Sequence, residues 1–378
     1  MQNLFRFERD KKIWDISYKG VPVWSYLRGS FYGQYLPYKP NFRFSIEDVK
    51  GFLTFFSLLW RSNDVIIFVS ARKDLIEYSL LVANNQFSVK EPIVFTRSEN
   101  GVRGNVFIIE VVRFLFRRFC FFFFLFSYYI LIKKINSVGV KVNKRLVRDL
   151  IGDYYFNRFL MVFLRNSKAV LYSNAVVPRT ERYNNFYNSI EVQHGVIHEE
   201  HLDYVNVPYI SNKFICYSNT VKEELKGWGF SGDTIIVRKE KTTVSIKYDV
   251  IIFGTVDPIY SKFIEEICGR LILLGRNVKV KLHPRDSYLY SKQVLDNCVV
   301  NVSPLEARFP ILPDTSLISD CFLNCKEFIY YSVNNKVKYD IYDYLINKYN
   351  IYDNREKIFK ICYNVNDVLK VFEVGYES

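Results

Sequence analysis

The chain has 378 residues, 49% of them apolar and 24% charged. That length exceeds what one hydrophobic core usually organises, so two domains are expected, and the composition excludes a disordered or collagen-like chain. The net charge of +13 is unevenly placed: residues 1–150 hold 24 basic and 12 acidic side chains, whereas residues 151–378 hold 28 and 27. Residues 101–150 alone carry 10 basic and 2 acidic side chains together with nine Phe and two Tyr. A basic aromatic segment of that kind suits a membrane surface or a polyanion better than a uniformly basic fold does.

Met1 to Lys12 mixes charged and apolar residues without an apolar leader segment, so export by a secretory signal is not expected. Lys12 to Trp24 alternates around Tyr18-Lys19-Gly20 and predicts a β-hairpin with a positive φ at Gly20. Asp64 to Ser70 is a β-branched run that predicts a buried parallel strand. The uncharged run Phe119–Ile132 is 14 residues long, bracketed by Arg117, Arg118 and by Lys133, Lys134. A membrane span needs roughly 20 residues. This run therefore predicts either a helix lying in the membrane interface, with Arg and Lys near anionic headgroups, or a core helix with a solvated basic cap. Arg113 and Arg117 are four apart and share one helical face.

Further strands are predicted at 93–95, 169–172, 190–192, 214–217 and 234–237, with helices at 146–164 and 220–228 among the elements between them. The polar stretch Arg238–Lys247 serves as a linker, giving an N-terminal domain of residues 1–245 and a C-terminal domain of residues 246–378. The second domain opens with a strand at 248–253, a Gly254-Thr255-Val256-Asp257-Pro258 loop and a helix over 259–274 capped by Gly275. Strands at 277–282, 299–302, 317–319 and 328–331 follow. Alternating strands and helices predict an α/β class with mainly parallel sheets, two Rossmann-like doubly wound domains facing a central cleft. Seven scattered cysteines, none in a Cys-x-x-Cys pair, fit reduced thiols in a cytoplasmic protein.

Only four histidines occur. Three lie in Gln193-His194-Gly195-Val196-Ile197-His198-Glu199-Glu200-His201, and the fourth in Lys281-Leu282-His283-Pro284-Arg285. Both windows begin where a predicted strand ends, the side on which open parallel sheets bind ligands. The second window gathers cationic donors suited to a diphosphate or a phosphate leaving group. In the first, His194 beside a turn-forming Gly195 can act as general base or phosphate contact, with Glu199 and Asp203 as acidic groups on the same loop. His194, His198 and His201 would share a helical face with Glu199 beside them, so a zinc hydrolase is a second reading. There is no GxGxxG, Walker, GxSxG or zinc-finger pattern, and four consecutive Phe residues are poor base-stacking platforms, so no nucleic-acid partner is expected.

The Gln193-His194-Gly195 turn, the strand–helix–strand unit ending in Lys281-Leu282-His283-Pro284, and the later Leu317-Ile318-Ser319-Asp320 together resemble bacterial GT-B glycosyltransferases of capsule and lipopolysaccharide synthesis, of the sialyltransferase and Kdo-transferase kind. The opening Trp14…Gly20…Trp24…Arg28 pattern is similar to proteins of capsule loci. The resemblance implies a GT-B architecture in which the first domain binds a glycan or lipid-linked acceptor and the second a nucleotide-sugar, with CMP-sugars favoured. It also implies that His283 and Pro284 contact the donor phosphate and that there is no bound metal or resident cofactor. From their places at the strand exits, Lys281 and Arg285 are expected to join His283 at that phosphate, Gly254 and Thr255 to give backbone or hydroxyl contacts, and Ser316 and Ser319 to reach the nucleotide from the neighbouring strand end. The implied location is cytoplasmic, peripheral on the inner face of the plasma membrane, with the segment around residues 105–135 as the docking element. CDP-polyol phosphotransferases of teichoic acid synthesis share the His-Gly turn and His-Pro dipeptide. Their Ser-Asp-x-Ser-Ser run here becomes Ser319-Asp320-Cys321-Phe322-Leu323, without the serine pair. A non-enzymatic membrane adaptor is the remaining reading.

Overall fold

The computed structural model describes residues 2–32, 46–98, 104–141, 143–173, 177–193, 197, 201–238, 244–255, 257–283, 286–300, 302–313, 315, 317–324, 326–332 and 359–373. The chain divides into two compact units, residues 1–239 and 240–378.

The first unit opens with helix α1 (Gln2–Asp10), a 3-10 turn at Ile13–Asp15, the hairpin strands β1 (Ser17–Tyr18) and β2 (Val21–Pro22), and α2 (Trp24–Phe31). The hairpin is shorter than its alternation predicts, because Ile13–Asp15 coils and Trp24 already begins a helix. Its turn uses positive φ at Lys19 (49°) and Gly20 (85°), which matches the twist of paired strands. The Trp14…Trp24…Arg28 pattern has a common centre in Glu8, 1% exposed. Its carboxylate accepts from Trp14 Nε1 (3.0 Å), Trp24 Nε1 (2.9 Å) and Arg28 Nε (2.6 Å). A buried carboxylate is tolerated here because the guanidinium and two indole N–H groups replace its water.

Six parallel strands form the sheet of this unit: β3 (Val65–Ser70), β4 (Ile93–Arg97), β5 (Ala169–Tyr172), β6 (Ser189–Val192), β7 (Lys213–Cys216) and β8 (Thr234–Ile236), in the order β4-β3-β5-β6-β7-β8. Successive side chains of β3 point to opposite faces, and both faces are covered. Ile66 and Phe68 pack with Phe55 of α3 (Ile46–Ser57) and with Phe156, Leu160 and Phe163 of α7 (Lys144–Leu164). Val65, Ile67 and Val69 pack with Leu75, Tyr78 and Val82 of α4 (Lys73–Phe87). This is a doubly wound layer, as the strand–helix alternation predicts.

The Phe-rich segment forms α5 (Phe107–Phe123) and α6 (Leu125–Ser137), joined at Phe124, and both pack along α7. Contacts pair Phe116 with Phe156, Arg117 with Asp153 and Phe121 with Arg148, so α5 descends α7 antiparallel. Gly152 permits the approach: a Cβ there would lie 2.4 Å from Arg117 Cα. The expectation that Arg113 and Arg117 face headgroups is corrected. Both guanidiniums turn inward to the fully buried Asp153, Arg113 Nε at 2.9 Å and Arg117 NH2 at 2.6 Å, and Tyr26 donates to the same carboxylate. Burial opposes ionisation of Asp153, but the two guanidiniums overcome it and hold the carboxyl well below the usual range. The two basic residues face inward because a buried carboxylate lies one helix away, which the local sequence does not reveal. Among the described residues, no helix is long and apolar enough to cross a membrane.

The second unit holds a five-stranded parallel sheet of β9 (Tyr248–Phe253), β10 (Val278–Lys281), β11 (Ala307–Leu312), β12 (Phe328–Tyr331) and β13 (Phe359–Cys362), in the order β10-β9-β11-β12-β13. Helix α10 (Pro258–Leu273) covers one face through Tyr260, Phe263, Ile264, Ile267 and Leu271. Its end is marked by Gly275 at φ 74°, as expected of a C-terminal cap. Two sequence expectations are corrected here. The described residues of that stretch, Val299, Val300 and Val302, form no strand; the third strand of this unit in chain order is β11, whose internal Pro310 argues against a central strand. It is accommodated because pairing to β12 starts only at Ile311, while Pro310 lies opposite Ile251 of β9. Residues 317–319 belong to helix α12 (Leu317–Leu323) rather than a strand, with Ile318 and Cys321 buried one helical turn apart.

Candidate functional site

In an open parallel sheet, ligands bind beyond the carboxyl ends of the strands, where the strand order reverses. In the second unit that point lies between β9 and β11, so the residues after Phe253 and Leu312 frame it. Gly254 and Thr255 leave β9, and Leu282 and His283 leave the adjacent β10. The two exits are tied: Gly254 N donates to Lys281 O at 2.8 Å. A Cβ on Gly254 would lie 3.1 Å from His283 N and 3.2 Å from Leu282 Cα, so a side chain would push the His283 loop away.

The His283 loop is braced from below. Asp286 N donates to His283 O (2.9 Å), while the Asp286 carboxylate accepts from Tyr288 N (3.0 Å) and Tyr290 Oη (2.6 Å). Tyr260 and Ser261 open α10 beneath it, Ser261 Oγ lying 3.4 Å from Asp286. The amino end of α10 is already capped, since Asp257 accepts from Ile259 N at 2.8 Å. Its partial positive charge is therefore spent on a side-chain carboxylate. Thr255, half-buried, has no hydrogen-bond partner among the described residues for its hydroxyl or N–H.

Of the predicted donor contacts, Gly254, Thr255, Lys281 and His283 are brought to one sheet edge. Lys281 turns its ammonium to Val302 O at 2.8 Å and lies over the Phe253 ring, so it clamps the strand exit as well as lining it. Ser319 lies on α12, which follows β11 across the reversal point. Pro284, Arg285 and Ser316 lie outside the described residues, as does the side chain of Ser319.

In the first unit, His194, Gly195, His198 and Glu199 lie outside the described residues. Gln193, which precedes them at the carboxyl end of β6, is described: its Oε1 accepts from Tyr217 N (3.0 Å) and its carbonyl from Tyr217 Oη (3.0 Å). The downstream end of the histidine loop is fixed by three arginines: Arg28, which belongs to the opening sequence pattern, and Arg179 and Arg182, which the sequence did not mark. Arg28 NH1 donates to Leu202 O (2.6 Å) and Val205 O (2.7 Å). Arg182 NH1 donates to Asp203 O (2.6 Å), and Arg179 NH2 to the Asp203 carboxylate (3.0 Å). Arg182 is itself paired with the buried Glu191, which also accepts from Tyr204 Oη at 2.8 Å. Asp203 is thus a paired carboxylate that anchors the loop. His201 packs edge-on against Tyr204, with centroids 4.8 Å apart. Neither Ile197 nor His201 is helical, so the helical face that the zinc reading needs is not formed at these positions. Among the described residues no group of three or more His, Cys, Asp or Glu could hold a metal ion.

No family model matches the chain, and no curated protein does. Among solved structures, the chain is similar to E. coli heptosyltransferase WaaC with ADP-2-deoxy-2-fluoro heptose, at 11% identity and a TM-score of 0.35, covering 82% of this chain and 99% of that one. At that identity and TM-score the likeness lends no weight to any reaction.

Proposed function

We propose that the chain is a GT-B-type glycosyltransferase of bacterial surface-glycan synthesis. Residues 240–378 hold a nucleotide-sugar donor, with CMP-activated Kdo or sialic acid favoured, and residues 1–239 hold a glycan or lipid-linked acceptor at the inner face of the plasma membrane. The observation that carries this reading is the convergence of Gly254, Thr255 and His283 on the carboxyl edge of the second sheet, beside the point where its strand order reverses. An unsubstituted backbone, an unspent hydroxyl and an imidazole are what a diphosphate or monophosphate linkage needs for close approach and hydrogen bonding.

In this reading His283, together with Arg285, stabilises the charge that develops on the departing phosphate, and Thr255 donates to a phosphate oxygen. Pro284, Ser316 and Ser319 are the further donor contacts of this reading. Lys281 holds the β10 exit against Val302 and adds positive potential. His194 takes the proton from the acceptor hydroxyl as the glycosidic bond forms, with Glu199 beside it and Asp203, paired to Arg179, fixing the end of the loop.

The test is a thermal-shift series with CMP, CDP, UDP and GDP on the full chain. A product nucleotide at a hundred times its Kd stabilises the unit that binds it by about 2.7 kcal/mol. CMP should stabilise most. CDP in its place points to polyol-phosphate transfer and UDP to an ordinary hexose donor. No response to any of the four refutes the donor-site assignment.

A further inference from the structure

The helical strip formed by α5 and α6 has two faces with different fates. Ile109, Leu131, Ile132 and Ile135 are buried, and Arg113 and Arg117 are spent on Asp153. The opposite face leaves Leu115, Phe119, Phe122, Phe123, Phe126 and Tyr129 exposed, with Phe123 at 82% and Phe126 at 80%. Soluble surfaces rarely show so many large apolar side chains in one stripe. The uncharged length, Phe119–Ile132, would extend about 21 Å even as one continuous helix, too short to span a bilayer but long enough to lie in one leaflet.

Charge chooses the occupant. No acidic residue occurs between Glu110 and Asp149. With Arg113 and Arg117 turned inward, Arg118 at one end of the stripe and Lys133, Lys134, Lys141, Lys144 and Arg145 at the other remain exposed. A second copy of this surface would bring like charges together, whereas an anionic lipid surface satisfies both the cationic ends and the aromatic centre.

We propose that the α5–α6 strip is a monotopic membrane anchor that lies flat in an anionic leaflet, inserting Phe119, Phe122, Phe123 and Phe126 while Lys133 and Lys134 meet phosphate headgroups. The inference deepens the membrane placement proposed above but stands apart from the transferase reading, because lipid binding is measured without donor or acceptor.

The experiment is co-sedimentation of the full chain with vesicles of phosphatidylcholine, with and without phosphatidylglycerol. The wild type should bind the anionic vesicles preferentially. Phe123→Ser with Phe126→Ser should weaken binding to anionic vesicles by about a hundredfold, each aromatic contributing roughly tenfold. Lys133→Gln with Lys134→Gln should remove about thirtyfold, from the anionic vesicles alone. Leu289→Ser, which alters an exposed apolar residue of the second unit, should change nothing. Hydrogen exchange of the unmodified protein provides a check independent of mutant folding: vesicles should protect peptides within 114–134. Failure of the wild type to bind, wild-type binding by the Phe variant, protection elsewhere only, or a lipid-free dimer dispersed by the Phe variant would each overturn the proposal.

Discussion

Glu181 of α8 (Thr180–Asn184) offers a measurement of how the first unit's interior treats charge. Its carboxylate is wholly buried; Oε1 accepts from Ser189 Oγ at 2.7 Å and Tyr187 N at 3.4 Å, while Oε2 has no partner among the described residues. Neighbouring Arg182 is committed to Glu191 and gives it no counter-ion. Burial therefore pushes the carboxyl from 4.5 up to about 8, despite the hydrogen bonds from Ser189 and the backbone. The folded protein keeps the proton that the unfolded chain loses. Its stabilising effect is full below the unfolded value and is lost as pH rises through about 8. Each pH unit in that window costs about 1.4 kcal/mol, so the step from about pH 5 to about pH 7.5 removes roughly 3 kcal/mol. Glu181→Gln keeps the acceptor for Ser189 and Tyr187 and cannot ionise. Subtracting its unfolding free energy from that of the wild type at each pH cancels every other titrating group. Urea unfolding followed by tryptophan fluorescence is the appropriate assay, because all four tryptophans (14, 24, 60 and 228) lie in the first unit. The wild type should lose ground to Glu181→Gln as pH rises. A difference that stays constant over this range would refute the assignment of a neutral buried carboxyl.

Asp153→Asn leaves Arg113 and Arg117 packed against a neutral partner and should destabilise the first unit by about 3–5 kcal/mol in the same urea assay. Retention of wild-type stability would mean that the double ion pair is unimportant to α5–α7 packing. At the second unit's sheet edge, Gly254→Ala places a methyl 3.1 Å from His283 N and should weaken nucleotide binding at least tenfold by calorimetry. His283→Ala should reduce transfer by about two orders of magnitude with the fold intact by circular dichroism. Full activity in His283→Ala would remove that residue from the site.

The α/β class, the doubly wound pattern and most strands were legible because each is a local property: a β-branched run, a helical period, or a glycine at a helix end. The same local cues explain the misses. Pro310 masks a central strand whose pairing tolerates it only because β12 joins one residue later, at Ile311. Leu317–Ser319 is apolar enough for either period, and burial of Ile318 with Cys321 is a tertiary choice. The basic Phe-rich segment was visible as composition, yet the partition of its arginines was not. Arg113 and Arg117 turn to a carboxylate 36–40 residues away on another helix, while Arg118 remains outside. Likewise Glu8 gives no sign in the chain that Trp14, Trp24 and Arg28 will meet at it. By itself, then, the sequence determined which segments are helix or strand and where charge and apolar surface concentrate, because backbone propensity and period act over a few residues. The tertiary structure alone decided strand order, the β9–β10 pairing that gathers Gly254 with His283, and which charges are consumed inside. Those depend on pairings between distant segments, where desolvation of one group is offset only by a partner the local chain cannot name.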